Sequence, residues 1–323
     1  MMRALQPILA IALCTLAMPS FAAGFRFIDV PADAEGPAIT GALWYPCAEP
    51  PGTMRYGPYV LPVSKDCPLS GEKHPLIVVS HGRGGTFMGH HDTAEAFADA
   101  GFIVAAINHP GDTSSDKSRA TELSVYVSRP ADIKRLIDYM VGSSPAAPFI
   151  DPSRIGFFGF SRGGYTGLAV IGANADWANA TGYCGDSPGR GCQQIRDREF
   201  PAGPIPHDPR IKAAVVADPL AVFFTAEALE PIKVPVQIWA SELGGDGVFL
   251  RDVAPLDKNL SAPHEFHVVR NAGHFAFFLC PPTLAQSAPD LCTDQSGFDR
   301  AVFHKEFNAA AVKFLQENLD RQR

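Results

Sequence analysis

Three short segments of this chain combine residue types and spacing suited to nucleophilic chemistry. In Gly159-Phe160-Ser161-Arg162-Gly163 a serine sits between two glycines, just after the apolar run Ile155 to Phe158. A serine hydroxyl is a poor nucleophile unless it is exposed, aimed and deprotonated by a neighbour, and a sharp strand-to-helix turn meets the first two needs. The flanking glycines permit that turn and a close approach of strand and helix. A bare G-x-S-x-G pattern is common by chance. Here the strand before it and a helix expected from about Gly164 supply the required context, against the alternative of a simple glycine turn.

Ser80-His81-Gly82-Arg83-Gly84-Gly85 follows another apolar run. Cleaving an ester puts negative charge on the carbonyl oxygen, and one preorganised backbone donor is worth roughly 3 kcal/mol. The expected donors are the main-chain N–H groups of Arg83 and Arg162, with both arginine side chains turned to solvent or substrate. The plain alternative is a turn that only connects strand to helix.

The third segment, Asn271-Ala272-Gly273-His274-Phe275, comes late enough to supply the histidine of a Ser…acid…His order, so His274 is the expected general base. Most of the ten histidines suit structural roles better. His264 and His267 fall in a strand and His304 on a helix. His90-His91-Asp92 lacks partners at metal-ligand spacing, and His81 and His109 read as pocket walls. The acid must end a strand beside the histidine loop. Asp218, after the run Ile211 to Ala217, is preferred. Asp246, in the glycine-rich stretch after the next strand, stays open as the alternative.

Bringing these groups together calls for a mostly parallel sheet, and the alternation of apolar runs with helical stretches supplies its βαβ signature. Expected strands are Phe25 to Val30, Ile39 to Trp44, Pro75 to Ser80, Phe102 to Asn108, Ile155 to Phe158, Ile211 to Ala217, Val234 to Trp239 and His264 to Val269. The first two lack a helix between them and predict an antiparallel hairpin at the sheet edge. A helix starting near Ser128 and Pro130 would place Ile133, Leu136, Ile137, Met140 and Val141 on one buried face. Phe303, Phe307, Ala310 and Phe314 repeat that pattern near the end, with Lys305, Glu306 and Lys313 opposite. Two stretches interrupt the alternation: a proline-rich surface excursion from Ala48 to Lys73, and a polar insertion, residues 173–210, expected as a lid or rim over the site.

Composition narrows the class. With 323 residues, 46% of them apolar, the chain suits one large α/β unit. A net charge of −7 and no basic run exclude nucleic acid as the expected partner. Arg3, the apolar stretch Ile8 to Met18, and Ser20-Phe21-Ala22 predict a signal peptide, residues 1–22, cleaved after Ala22, with 23–323 as a single mature domain. An uncleaved membrane anchor is the alternative. Lipid attachment at Cys14 is disfavoured by Leu13, and no later segment is long enough to span a bilayer. Six cysteines then remain, an even set suited to an oxidising compartment. Fifteen pairings are possible; locality favours Cys47 with Cys67, Cys184 with Cys192 and Cys280 with Cys292. Their spacing does not resemble a zinc ribbon.

Several ordered motifs together make the chain similar to the platelet-activating-factor acetylhydrolase-like branch of the α/β-hydrolases, which includes bacterial proteins labelled dienelactone hydrolase-like. They are Gly41-Ala42-Leu43-Trp44-Tyr45-Pro46, Ser80-His81-Gly82-Arg83-Gly84, Gly101-Phe102-Ile103-Val104-Ala105-Ala106, Arg129-Pro130-Ala131-Asp132, Gly159-Phe160-Ser161-Arg162-Gly163-Gly164 and Asn271-Ala272-Gly273-His274-Phe275-Ala276-Phe277-Phe278. The resemblance runs from about Gly41 to the C-terminus. It implies an α/β-hydrolase fold, an acid at Asp218 and an oxyanion donor at Arg83. Many bacterial relatives carry their acid after the later strand, which keeps Asp246 open. The cysteine-bearing insertion departs from the family, so its substrate does not carry over, and Ser161 argues against dienelactone hydrolysis, which uses a cysteine.

The expected reaction is acyl transfer on a small acyl, lipid or polyester ester, through an acyl-enzyme and without metal or organic cofactor. A non-catalytic exported binding protein on the same fold and a serine peptidase are the competing readings.

Overall fold

The apolar runs become strands where β-branched and aromatic residues alternate across two buried faces. A computed structural model describes residues 23–320; the expected leader and its cleavage site at Ala22 lie outside them. In chain order the strands are β1 (Gly24–Val30), β2 (Ile39–Tyr45), β3 (Met54–Tyr56), β4 (Tyr59–Leu61), β5 (Ser64–Lys65), β6 (His74–Ser80), β7 (Ile103–Ile107), β8 (Ile150–Phe160), β9 (Ile211–Ala217), β10 (Val236–Ser241) and β11 (His264–Val269). The long helices are α1 (His91–Asp99), α2 (Val125–Gly142), α3 (Arg162–Val170) and α4 (Arg300–Asp320).

Nine strands form one sheet in the order β11-β10-β9-β8-β6-β7-β2-β1-β5. From β11 to β7 every pairing is parallel, and β2 joins β7 antiparallel. The expected β1–β2 hairpin is antiparallel, as the missing helix required. It is not the outermost element, because β5 from the proline-rich excursion adds a two-residue parallel edge to β1.

Helices cover both faces, and the strand period sorts the core between them. Leu76 and Val78 of β6 face the layer of α2 and α3, whereas Ile77 and Val79 face the layer of α1 and α4. This is the α/β-hydrolase fold. Among the described residues no helix is long and apolar enough to cross a membrane.

Two helix expectations shift. Helix α2 begins at Val125, so Pro130 lies inside it rather than at its start. The ring removes one donor near the N-terminus, while the turn is opened by Tyr126 and Val127 N–H groups bonding to Leu123 and Ser124 carbonyls. In α4 the buried stripe is Phe303, Phe307, Ala311 and Phe314; Ala311 takes the place expected for Ala310.

The six cysteines pair with their sequence neighbours, Cys47–Cys67, Cys184–Cys192 and Cys280–Cys292. Each bond closes a segment outside the sheet's central strands. Phe307 is the hub of the α4 layer, fully buried against the rings of Trp239, Phe277, Phe303 and Phe158. Phe307→Ala should therefore lower unfolding free energy by roughly 3–5 kcal/mol, as measured by urea denaturation.

Candidate active site

Ligand sites in open α/β sheets form at the carboxyl ends of the parallel strands, and all the candidate residues gather there. Ser161 follows β8, Asp218 follows β9, residues 81–85 follow β6, and the loops after β10 and β11 carry Asp246 and His274.

Ser161 occupies the left-handed region, with φ of 56°. A side chain rarely sits there without support from its surroundings. That support is main-chain: the Ser161 N–H donates to the Ala217 carbonyl at 2.9 Å, and the Ser161 carbonyl accepts from Leu220 and Tyr165. The glycines are required by space rather than by torsion. A Cβ on Gly163 would overlap the Ser80 carbonyl oxygen, and one on Gly159 would overlap the Gly163 carbonyl. The turn thus packs backbone on backbone and leaves Ser161, itself largely buried, facing the cleft.

The Ser161 hydroxyl lies 3.0 Å from His274 Nε2, and His274 Nδ1 lies 2.6 Å from Asp218 Oδ2. The Asp218 carboxylate also accepts from the Ser241 N–H and hydroxyl, at 2.8 and 2.6 Å. Nδ1 therefore donates to the carboxylate, leaving Nε2 as the acceptor for the serine proton. In this order the imidazole can take the hydroxyl's proton, and the carboxylate can orient the ring and stabilise the imidazolium that forms. The imidazole is buried and stacks on Phe160, with ring centroids 4.6 Å apart. Its main-chain N–H bonds to the Gly244 carbonyl at 2.9 Å.

Asp246 is not brought to His274. Its carboxylate faces Arg83 Nη2 at 3.2 Å on the cleft rim, while Gly244 before it supports the histidine loop by accepting the His274 N–H. Ser241 has no place among the sequence candidates, though its position at the end of β10, beside the preferred acid, was a usable signal.

Arg162 is the first residue of α3, so its N–H has no acceptor within the helix. Its side chain does not face solvent or substrate as expected. It is buried, with Nη1 2.8 Å from both Asp112 Oδ2 and the Ala120 carbonyl and its guanidinium over the Tyr126 ring. The Arg83 side chain is half exposed beside the cleft, as expected.

His81 and His109 are not pocket walls; both are fully buried and neither lines the cleft. His81 Nε2 accepts from the His109 N–H at 3.2 Å, so its Nδ1 donates to the Gly82 carbonyl at 2.6 Å. Burial and the nearby Arg129 push His81 down to about 3. His109 bridges the Ser80 hydroxyl and Asp132 at 2.9 and 3.0 Å. Burial raises the Asp132 carboxyl to about 7. His264 and His267 lie in β11 and His304 on α4, where it bonds Asp92 at 2.6 Å.

In front of Ser161 opens a cleft of about 760 Å³. Its apolar arm is made by Tyr56, Tyr59, Phe87, Phe278, Leu284 and Leu291. The 48–73 excursion supplies the two tyrosines. The segment closed by Cys280–Cys292 supplies the two leucines, and the Thr283 hydroxyl bonds the Pro58 carbonyl at 2.7 Å, joining the two. Residues 173–210 supply none of the cleft's lining. They pack beside it, where the Tyr183 hydroxyl closes against Gly247.

A model of the prolyl oligopeptidase family matches residues 90–185, a stretch that includes Ser161 and α3. The protein named “Putative esterase NocK” from Nocardia uniformis subsp. tsuyamanensis is 30% identical over 153 residues. That alignment takes in 46% of this chain and 42% of NocK, so the chain spans less than half the length of this relative. Both similarities point to a hydrolase of the α/β-hydrolase superfamily.

Behind the cleft wall, His90 is fully buried and stacks on Phe278 at 4.9 Å, with Phe158 and Phe160 around it. Neither ring nitrogen makes a well-formed hydrogen bond, the Phe277 main chain giving only a weak contact. Burial lowers its pKa from 6.5 to about 4. The unfolded chain therefore binds a proton that the folded chain refuses between these values. The contribution to stability is present above pH 6.5 and lost as pH falls through that window. Denaturation at pH 7.5 and pH 5 should show wild type losing about 2 kcal/mol more than His90→Phe over this interval.

Proposed function

We propose that this protein is an exported serine carboxylic-ester hydrolase, with Ser161 as nucleophile, His274 as general base and Asp218 as the acid that orients it. The observation that carries the reading is the run of short contacts from hydroxyl to imidazole to buried carboxylate, opening into a cleft with an apolar arm. Ser161 attacks the ester carbonyl while its proton passes to His274 Nε2. The main-chain N–H groups of Arg83 and Arg162 receive the oxyanion. The imidazolium then protonates the leaving alkoxide, and water attacks the acyl-enzyme with His274 again as base.

The apolar arm favours an acyl or lipid-like group over a strongly polar one. The ordered motifs favour the platelet-activating-factor acetylhydrolase-like branch. Three disulfides are compatible with an oxidising compartment and hence with export through the leader, residues 1–22.

A serine peptidase is the second reading, favoured by the prolyl oligopeptidase match. Nitrophenyl acyl esters of increasing length, assayed beside peptide anilides, separate the two; turnover of the anilides with inert esters would overturn the esterase reading. A fluorophosphonate probe should label wild type and leave Ser161→Ala unlabelled, whereas folded wild type that resists labelling would support a binding protein instead. For the acid, Asp218→Asn should lower kcat by about 10⁴-fold, because it disturbs the imidazole tautomer. Asp246→Asn should stay within about fivefold of wild type, since its exposed ion pair is worth at most about 1 kcal/mol.

A further inference from the structure

Asp112 lies in the loop after β7, and its side chain is wholly inaccessible to solvent. The hydrogen bonds that its carboxylate accepts come from segments that frame the proposed oxyanion site. Oδ1 accepts from the Gly84 N–H at 2.9 Å. Oδ2 accepts from Arg162 Nη1 at 2.8 Å and from Arg129 Nη1 at 3.0 Å. Arg129 in turn donates through Nη2 to the His81 carbonyl.

We infer that Asp112, Arg129 and Arg162 form a buried clamp that positions both oxyanion amides and keeps an excess of positive charge beneath them. The inference rests on the ester-hydrolase reading and adds positioning residues to it. The Gly84 bond fixes the peptide next to the Arg83 N–H, and the loop is further tied by a Ser114 N–H to Gly85 carbonyl bond of 3.0 Å. On the other side, the residue whose N–H heads α3 is held at the far end of its own side chain, by Asp112 and by the Ala120 carbonyl.

Charge accompanies this geometry. Within hydrogen-bond reach the clamp holds two guanidiniums against one carboxylate. The Nε atoms of both Arg129 and Arg162 are buried without a partner. Burial depresses Arg129, yet only to about 10, so it stays cationic near neutrality. Burial also opposes the charge on Asp112, but the two arginines and the Gly84 N–H hold its carboxyl below the usual range. In a water-poor interior such charge is weakly screened and is already in place when the oxyanion forms, with no reorganisation at the moment of need.

Arg162→Gln is the cleanest test. It leaves the Arg162 N–H in place and a balanced Asp112–Arg129 pair behind, so the fold should survive, as circular dichroism and a thermal melt will report. The expected result on a nitrophenyl ester is a fall in kcat of roughly 10- to 100-fold with KM within about threefold. Affinity for an alkylboronic acid, whose serine adduct is a tetrahedral anion, should fall by the same factor as kcat/KM. Arg162→Lys, which keeps the charge, should lose less.

Arg154→Gln serves as the control: Arg154 is also buried, but at the opposite end of β8, where it bonds Asp151 and the Lys73 carbonyl. It should leave kcat and boronate affinity unchanged. Folded Arg162→Gln protein with wild-type kcat and wild-type boronate affinity would overturn the clamp while leaving the hydrolase reading intact. Wild type that neither turns over esters nor reacts with fluorophosphonate would remove both.

Discussion

The backbone contact between the Ser161 turn and the end of β6 is the constraint on which the rest of the site depends. Gly163 lies so close to the Ser80 and His81 carbonyls that no side chain fits between them. That approach fixes three things at once: the start of α3, the place of the serine against the cleft, and the distance from the serine to the 81–85 loop. A left-handed serine is costly to hold, and here it is held by main-chain bonds to β9 and to the segment after it rather than by side chains that could rotate away.

From that turn the site extends along neighbouring strands. Asp218 directly follows β9, β10 ends in Ser241, and the loop after β11 brings His274 over the serine. Each strand contributes one member, and the parallel register delivers them at one level. The loop that carries Asp246 belongs to the same scaffold, since its glycine carbonyl receives the histidine main chain. Sequence proximity to the right strand end is therefore not enough to make a carboxylate a partner of the imidazole. The aim of the side chain decides, and Asp246 is aimed at Arg83.

Much of the architecture is legible in the sequence, because strands buried on both faces leave continuous apolar runs and helices leave spaced stripes. β6, β9 and β11 fall close to where their runs predict, and Phe303, Phe307 and Phe314 mark the buried side of α4. Ser161, His274 and the 81–85 loop stand out because glycine and serine spacing there reports a local geometry. What stays hidden is non-local. Asp112 and Arg129 are common residue types whose meaning depends on partners 28 and 48 positions away. The buried course of the Arg162 side chain is hidden for the same reason. The proline-rich excursion reads as peripheral, although its tyrosines line the cleft, because no periodicity records where a loop folds back.

The hydrogen bond between Thr283 and Pro58 joins two arms of chain, each closed by its own cystine, across the mouth of the cleft. Neither arm supplies an atom to the serine–imidazole–carboxylate relay. On the proposed reading, selectivity and reactivity are thereby lodged in separate pieces of polypeptide. Drift in the arms can reshape what the molecule admits while leaving untouched how it would attack, which makes this mouth the natural place for related chains to diverge in diet.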